Sequence, residues 1–262
     1  MIRLIHFKNL DAFPGKILHF SSTRVGGVSS GEYESLNLGN YSDDRREHIE
    51  KNRQMLCDAL NITLPQLVTV HQIHGINIKM VDTGIFSLNS SDRNQALDGY
   101  DALVCRQPDI CIAVTTADCV PVLLFDPVTD VIAAIHSGWK GTLHNIVLQT
   151  VNMLSSTFHS SPKDVIAAIG PCIGAGVYEV GEELFACFQK KRFDVTHLFS
   201  PKGNGKYVFN LRQAVVNQLY EAGVMNCEAS PLCTFSDDNL FFSARRQGIH
   251  SGRMLSGIML KR

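Results

Sequence analysis

Residues 115–141 read TTADCVPVLLFDPVTDVIAAIHSGWKG, and this segment decides how the rest of the chain is interpreted. It predicts two apolar strands, Val120–Asp126 and residues 131–135, joined by a turn that contains Asp-Pro and Thr-Asp. The distant ends of two hairpin strands are neighbours, so Cys119 and His136 are expected to lie side by side. A thiol and an imidazole brought together before a Gly-rich turn indicate chemistry rather than packing.

The third group beside this pair decides the kind of chemistry. A catalytic zinc ion typically has three protein ligands of the Cys, His or carboxylate type and one open position. The segment HQIHG at residues 71–75 supplies His71 and His74 from a remote part of the chain. The alternative is a metal-free site in which an adjacent imidazole activates the thiolate as a nucleophile. A nucleophile needs one histidine, whereas a zinc site needs a third ligand.

Composition excludes several classes of partner. The chain has 262 residues, 45% of them hydrophobic, and a formal net charge of -1. This charge gives no electrostatic reason to expect nucleic acid or an anionic membrane as a partner. The first ten residues are too polar for a signal peptide, and no apolar run approaches the length of a membrane span. We therefore expect a cytoplasmic protein with eight reduced cysteines rather than a disulfide framework.

Two further segments have clear local patterns. Residues 19–40 are rich in Gly and Ser and predict a long loop of the kind that lines a binding site. Asp44 and Glu47 match a capping box, which predicts a helix over residues 45–60. Thr142 is the predicted cap of another helix. Neither a complete phosphate-binding loop nor a Gly-x-Ser-x-Gly elbow occurs, so these two kinds of site are not supported.

An ordered set of short motifs extends along nearly the whole chain. The motifs are STRVGGVS near residue 22, SLNLG at 35, QIHG at 72, DGYDALV at 98, TADCVPVL at 116, AIHSGWKG at 134, IGPCIG, FFSARR at 241 and GRM at 252. Together they resemble the motifs of the YfiH-like family, whose members are described as multicopper polyphenol oxidoreductases or laccase-domain proteins, and also as purine nucleoside phosphorylases. The resemblance implies an α/β (α+β) fold, a four-layer α/β/β/α sandwich with mixed sheets, similar to the catalytic domain of cytotoxic necrotizing factor. With no repeat or linker in the sequence, we predict one domain over residues 1–262.

The resemblance also implies a metal site and an activity. It places the metal ligands, which are also catalytic residues, at His74, Cys119 and His136, and leaves His71 outside this set. Zn²⁺ is the expected cofactor, with Cu²⁺ as the alternative. The implied enzyme is a purine nucleoside phosphorylase that takes adenosine, inosine or S-methyl-5′-thioadenosine together with phosphate, and that has an adenosine deaminase side activity. We expect it to act as a monomer or homodimer.

Substrate contacts are predicted from cationic and amide side chains. Arg24 is a candidate catalytic residue and oxyanion contact, and Asn37 is a candidate contact for base or sugar. Lys140, Arg245 and Arg246 are candidate contacts for phosphate. Lys140 stands where the family often has arginine, and lysine cannot bind an oxyanion in the same bidentate way.

Three other functions use the same residues. A copper-dependent polyphenol oxidase fits the older family name, although one Cys and two His make a single site. A Cys-His amidohydrolase would need no metal. A binding protein that contains a structural metal would have no activity.

Overall fold

The computed structural model describes all 262 residues, with fourteen strands and nine helices. The strands are β1 (Leu4–Ile5), β2 (Ile17–Ser22), β3 (Leu67–Thr69), β4 (Ile78–Val81), β5 (Ala102–Cys105), β6 (Cys111–Thr116), β7 (Val120–Asp126), β8 (Val131–Ser137), β9 (Ile166–Ile169), β10 (Glu179–Gly181), β11 (Phe199–Gly203), β12 (Lys206–Phe209), β13 (Asn226–Ala229) and β14 (Met254–Leu260). The helices are α1 (Lys8–Asp11), α2 (Arg46–Leu60), α3 (Ser90–Ala96), α4 (Trp139–Leu143), α5 (Ile146–Phe158), α6 (Glu182–Lys190), α7 (Val195–Leu198), α8 (Leu211–Glu221) and α9 (Ala244–Gln247). None of these helices is long and apolar enough to cross a membrane.

The predicted hairpin of β7 and β8 is confirmed. The two strands pair antiparallel, with Val120 opposite Ser137 and Pro121 opposite His136. Every residue of both strands is buried, because both faces of the sheet are covered. This double burial explains why the two segments read as continuous apolar runs rather than as alternating patterns. Strand β8 continues two residues past the predicted end at Ile135, so His136 is itself part of the ladder.

Two large mixed sheets form the centre of the molecule. The first has six strands in the order β13-β9-β7-β8-β5-β4, with parallel pairing only at its two edges. The second has five strands in the order β1-β2-β14-β6-β3, and only its β3–β6 pair is parallel. A smaller sheet has the order β10-β12-β11 and packs aromatic side chains, among them Phe199 stacked on Phe209 with ring centroids 4.4 Å apart.

The layers follow from the faces that each sheet buries. Leu123 and Phe125 of the six-stranded sheet share one hydrophobic cluster with Ile112 and Ile258 of the five-stranded sheet. The other face of the six-stranded sheet packs against α5, α6 and α8. The other face of the five-stranded sheet packs against α2 through residues such as Leu56. This is the expected four-layer α/β/β/α arrangement with mixed sheets.

Three local predictions were wrong. Residues 19–22 belong to β2 rather than to a loop, because pairing with β14 buries this end of the polar segment. Helix α2 has no side-chain cap, since the carboxylate of Asp44 accepts from the amide of Arg45 instead of forming the capping box. Thr142 lies inside α4, where its buried hydroxyl pairs with that of Ser137, and Gly138 is the residue that precedes the helix.

Candidate active site

Three side chains with metal-binding atoms meet at the end of the central hairpin. The ligand atoms of His74, Cys119 and His136 all lie within 4.8 Å of one another. The hairpin brings Cys119 beside His136, as the turn pattern predicted. His74 arrives from the loop between β3 and β4, and its ring meets that of His136 edge to face, with centroids 4.8 Å apart. This Cys-His-His group contains the residues that the family resemblance implied.

Asp101 orients two members of this group. Its fully buried carboxylate accepts from Nδ1 of His136 at 2.7 Å, from the amide of His74 at 3.0 Å and from the amide of Gly75 at 2.6 Å. An ionised carboxylate can only accept, so Nδ1 of His136 carries a proton, and deprotonation of the ring would leave the lone pair on Nε2. Burial raises the pKa of Asp101, but the hydrogen bond and charge of His136 and the backbone amides outweigh burial and lower it.

Gln72 ties the His74 loop to the strand that leads to Cys119. Its side-chain oxygen accepts from the amide and hydroxyl of Thr115, at 2.7 and 2.9 Å, and its side-chain nitrogen donates to the Thr115 carbonyl at 2.8 Å. Three bonds to one residue leave the side chain little freedom. The histidine from the remote loop therefore has a defined position relative to the hairpin.

The local electrostatics favour a thiolate. Burial raises the pKa of Cys119, yet the charges and hydrogen bonds of His136 and His74 outweigh burial and lower it to about 6. Burial lowers the pKa of His136, whereas Cys119 and Asp101 raise it to about 9. The thiolate is the form of cysteine that binds a metal or attacks an electrophile. The electrostatics alone are thus compatible with either a metal site or a metal-free nucleophile.

Gly138 leaves the space that the three side chains use. A Cβ atom at this position would lie 3.0 Å from Sγ of Cys119 and 3.2 Å from Cδ2 of His74. Its φ of -76° is open to any residue, so close approach rather than backbone conformation explains the glycine. The glycine therefore leaves a space beside the three side chains that a larger residue would fill.

Asp118 links the Cys-His-His group to a distant part of the chain. Its carboxylate accepts from the hydroxyl of Thr234 at 2.7 Å, the hydroxyl of Ser243 at 3.0 Å and the amide of Arg245 at 2.6 Å. The residue has a φ of +94°, a conformation in which Asp is enriched among non-glycine residues. Because Asp118 directly precedes Cys119, these bonds hold Arg245 near the thiol.

A cavity of about 480 Å³ opens beside the group and is lined by all three of its members. Two arginines, Arg245 and Arg253, line the same cavity from separate segments. The guanidinium of Arg245 lies over the ring of Tyr178, 5.1 Å from its centroid. One nitrogen of Arg253 donates to Ser251, which anchors that side chain. The cavity thus combines a thiolate, two imidazoles and two cations, which suits an anionic reactant.

Four of the five predicted substrate contacts do not line this cavity. The guanidinium of Arg24 donates to the carbonyl of Glu34 and lies 4.7 Å from the ring centroid of Phe242. Asn37 is fully buried, and its side-chain oxygen accepts from the amides of Gly39 and Arg253. Both residues lie in the segment expected to line a site, but their polar groups bond to backbone and side-chain groups of the protein instead.

The other two predicted contacts outside the cavity are Lys140 and Arg246. Nζ of Lys140 lies 5.6 Å from the ring centroid of its neighbour Trp139. The guanidinium of Arg246 donates to the carbonyls of Thr234, Phe235 and Phe241. Arg246 therefore ties loops together, while Arg245 is the predicted contact that reaches the cavity.

Several important residues were not singled out from the sequence. They are Gln72, Asp101 and Arg253, and each lies within a motif that carries the resemblance: QIHG, DGYDALV and GRM. In the sequence, their position inside these motifs was the indication that they are important. Their roles depend on long-range bonds, which the spacing of residues along the chain does not contain.

A second group of possible ligands consists of His6, Asp11 and His19. Nε2 of His19 already accepts from the amide of Phe7 at 3.0 Å, so this lone pair is used within the protein. The Cys-His-His group has no such competition at its cysteine and is the better candidate metal centre.

These observations define a four-layer α/β/β/α protein with a candidate Cys-His-His centre beside a cationic cavity. The chain belongs to the YfiH-like family, because residues 18–261 match the family model described as multi-copper polyphenol oxidoreductase laccase. It is 40% identical to a purine nucleoside phosphorylase from Bacteroides thetaiotaomicron, over 98% of this chain and 96% of that protein.

Two further relatives extend the comparison. The chain is 34% identical to adenosine deaminase RL5 from an unknown prokaryotic organism, over 92% of this chain and 93% of the relative. The crystal structure of the hypothetical protein YfiH from Bacillus licheniformis superposes with a TM-score of 0.91, at 31% identity and 99% coverage of both chains. Both the sequence and the fold therefore place this chain in the family, and curated relatives carry the names of two activities on purine nucleosides.

Proposed function

We propose that this protein is a zinc-dependent purine nucleoside phosphorylase that cleaves adenosine, inosine and S-methyl-5′-thioadenosine with phosphate, and that also deaminates adenosine. The observation that carries the proposal is the meeting of the Cys-His-His group with Arg245 and Arg253 on one cavity of about 480 Å³. Drug-sized ligands occupy cavities of roughly 300 to 1,000 Å³, so a nucleoside and phosphate are of suitable size. Relatives named for both activities support the same choice.

The residues present fit a zinc ion. Cysteine thiolate and histidine imidazole are both usual zinc ligands, and three protein ligands leave the fourth position open as in catalytic sites. The pKa of about 6 at Cys119 supplies the thiolate at neutral pH. The bond from Asp101 to Nδ1 of His136 is the usual support for a zinc-binding histidine. When bound, Zn²⁺ would supply a Lewis acid and lower the pKa of a water molecule for deamination.

The protein's own groups would handle the charges of phosphorolysis. Cleavage of the bond between ribose and purine develops positive charge on the sugar, so the anionic phosphate must be held close to it. Arg245 and Arg253 are the cations that line the cavity and would hold phosphate. Asp118 fixes the backbone of Arg245 and would set its distance from the reacting centre. Lys140 and Arg24 are not required for this arrangement.

The direct test combines purified protein, zinc, inosine and phosphate. We expect hypoxanthine and ribose 1-phosphate in equal amounts, and loss of product when phosphate is omitted. Cys119→Ala should abolish turnover because the variant lacks the thiolate ligand. Cys227→Ala, a change of a partly buried thiol on an edge strand, is the matched control and should keep activity. Full activity of Cys119→Ala would refute the proposal.

The same preparation separates the other candidate functions. Activity that survives a strong chelator would support a Cys-His amidohydrolase rather than a metal enzyme. Oxygen consumption with a phenol and bound copper would support the oxidase that the older family name describes. Unfolding on metal removal, without activity toward any of these substrates, would support a structural metal.

A further inference from the structure

Tyr41 and His71 form an aromatic pair at the edge of the catalytic cavity. Both residues line the cavity, and their ring centroids are 4.2 Å apart. Tyr41 is 61% exposed. The pair comes from two segments, the loop before α2 and the loop that also carries His74. An exposed aromatic side chain in a polar cavity provides a flat surface for a planar ligand.

His71 is held in a fixed position by three contacts. Its amide donates to the carbonyl of Leu97 at 3.0 Å, and its carbonyl accepts from the amide of Gly99 at 3.0 Å. Nδ1 lies 2.6 Å from a carboxylate oxygen of Asp98. Because this carboxylate accepts, Nδ1 carries the proton and Nε2 is free to bond to a ligand. No protein group bonds to Nε2 of His71 in the structure.

We propose that Tyr41 and His71 are the subsite for the purine base, an inference that rests on the proposed nucleoside activity. The base stacks on the Tyr41 ring, and its polar edge bonds to Nε2 of His71. Asp98 is a positioning residue that orients the imidazole. The cations Arg245 and Arg253 come from other segments of the chain, line the same cavity and hold phosphate.

The proposed stacking predicts different kinetic effects for the variants of Tyr41 and His71. Tyr41→Ala removes the aromatic stacking partner of the base and should raise KM for adenosine and inosine by roughly 5- to 150-fold. Tyr41→Phe keeps the ring and should recover most of the nucleoside affinity that Tyr41→Ala loses. His71→Ala should also raise the nucleoside KM, and it should change the ratio of kcat/KM between adenosine and inosine because their polar edges differ. KM for phosphate should not change in any of these variants.

Two matched controls exist elsewhere on the surface. Tyr220→Ala removes a half-exposed tyrosine from α8. His197→Ala removes a histidine whose Nδ1 lies 2.7 Å from Asp194, the same kind of pair outside the cavity. Both controls should leave all kinetic constants unchanged.

Calorimetric titration with adenine alone distinguishes this inference from the proposed function. Adenine should bind to the wild type and bind about tenfold more weakly to Tyr41→Ala. Wild-type protein that binds adenine but cleaves no nucleoside would refute the phosphorylase proposal and leave the base subsite standing. Equal adenine affinity of wild type and both alanine variants, or an unchanged nucleoside KM in active variants, would overturn the inference.

Discussion

The carboxylate of Asp101 lies 2.7 Å from Nδ1 of His136 and also accepts the backbone amides of the loop that carries His74. One buried side chain thereby orients two imidazoles that come from different parts of the chain.

Asp101→Asn should weaken zinc binding. The amide keeps the size of the side chain, but its NH₂ group opposes one of the N–H donors that the carboxylate accepts. Loss of such a supporting bond typically costs about 10- to 100-fold in metal affinity. Competition with a zinc-binding indicator measures the effect.

Asp194→Asn is the matched control, because Asp194 accepts from Nδ1 of His197 at 2.7 Å on the exposed surface. Its zinc affinity should equal that of the wild type. An Asp101→Asn protein with wild-type affinity would show that the bond does not support the metal site.

Gly138→Ala should reduce zinc affinity by about tenfold or more without unfolding the protein. The new methyl group would lie 3.0 Å from Sγ of Cys119 and 3.2 Å from Cδ2 of His74, so the ligands must move apart. Gly176→Ala is the control, because no heavy atom lies within 4 Å of its added methyl group. Zinc titration and thermal unfolding of both variants check the prediction, and equal zinc affinities would contradict it.

Arg245→Ala should impair phosphate binding, whereas Arg246→Ala should reduce the stability of the protein. Arg245 lines the cavity, and its loss should raise KM for phosphate by about tenfold, the effect of one lost bond of about 1.4 kcal/mol. Arg246 donates to three backbone carbonyls, and its loss should lower the free energy of unfolding by about 2 kcal/mol. Phosphate KM and denaturant unfolding separate the two effects. A raised phosphate KM in Arg246→Ala but not in Arg245→Ala would assign phosphate binding to Arg246.

His19 should make the protein less stable at acidic pH. Burial is the main reason that the pKa of His19 is lowered from 6.5 to about 4. The unfolded chain takes up a proton at pH below 6.5, whereas the folded protein resists it until about pH 4. This contribution to stability is therefore complete above pH 6.5 and is lost as pH falls toward 4.

Denaturant unfolding of wild type and His19→Gln at pH 7.5 and pH 5 measures the contribution. The wild type should lose on the order of 1 kcal/mol more than the variant between these two conditions, after allowance for solvent screening. Equal losses would show that another group causes the acid sensitivity.

Local sequence pattern was sufficient to predict the central hairpin. Two apolar runs separated by turn residues predicted β7 and β8, and the antiparallel pairing then placed Cys119 beside His136. Local pattern could not identify the third ligand, because His71 and His74 are equally plausible from composition. The motif resemblance selected His74, and the structure brings this residue, not His71, into the group of ligand atoms within 4.8 Å. The layer order was likewise implied by the resemblance rather than by periodicity.

The sequence by itself determined the hairpin, the paired thiol and imidazole, and the family, because each depends on short-range patterns or on ordered motifs. Only the tertiary structure decided which cation faces the cavity. Arg245 and Arg246 are adjacent and chemically identical, but Asp118 accepts the amide of Arg245 while three carbonyls capture the guanidinium of Arg246. Asp118 lies in a remote part of the chain, whereas the three carbonyls belong to the irregular segment that precedes α9. Their directions become defined only when the sheets and loops have packed together.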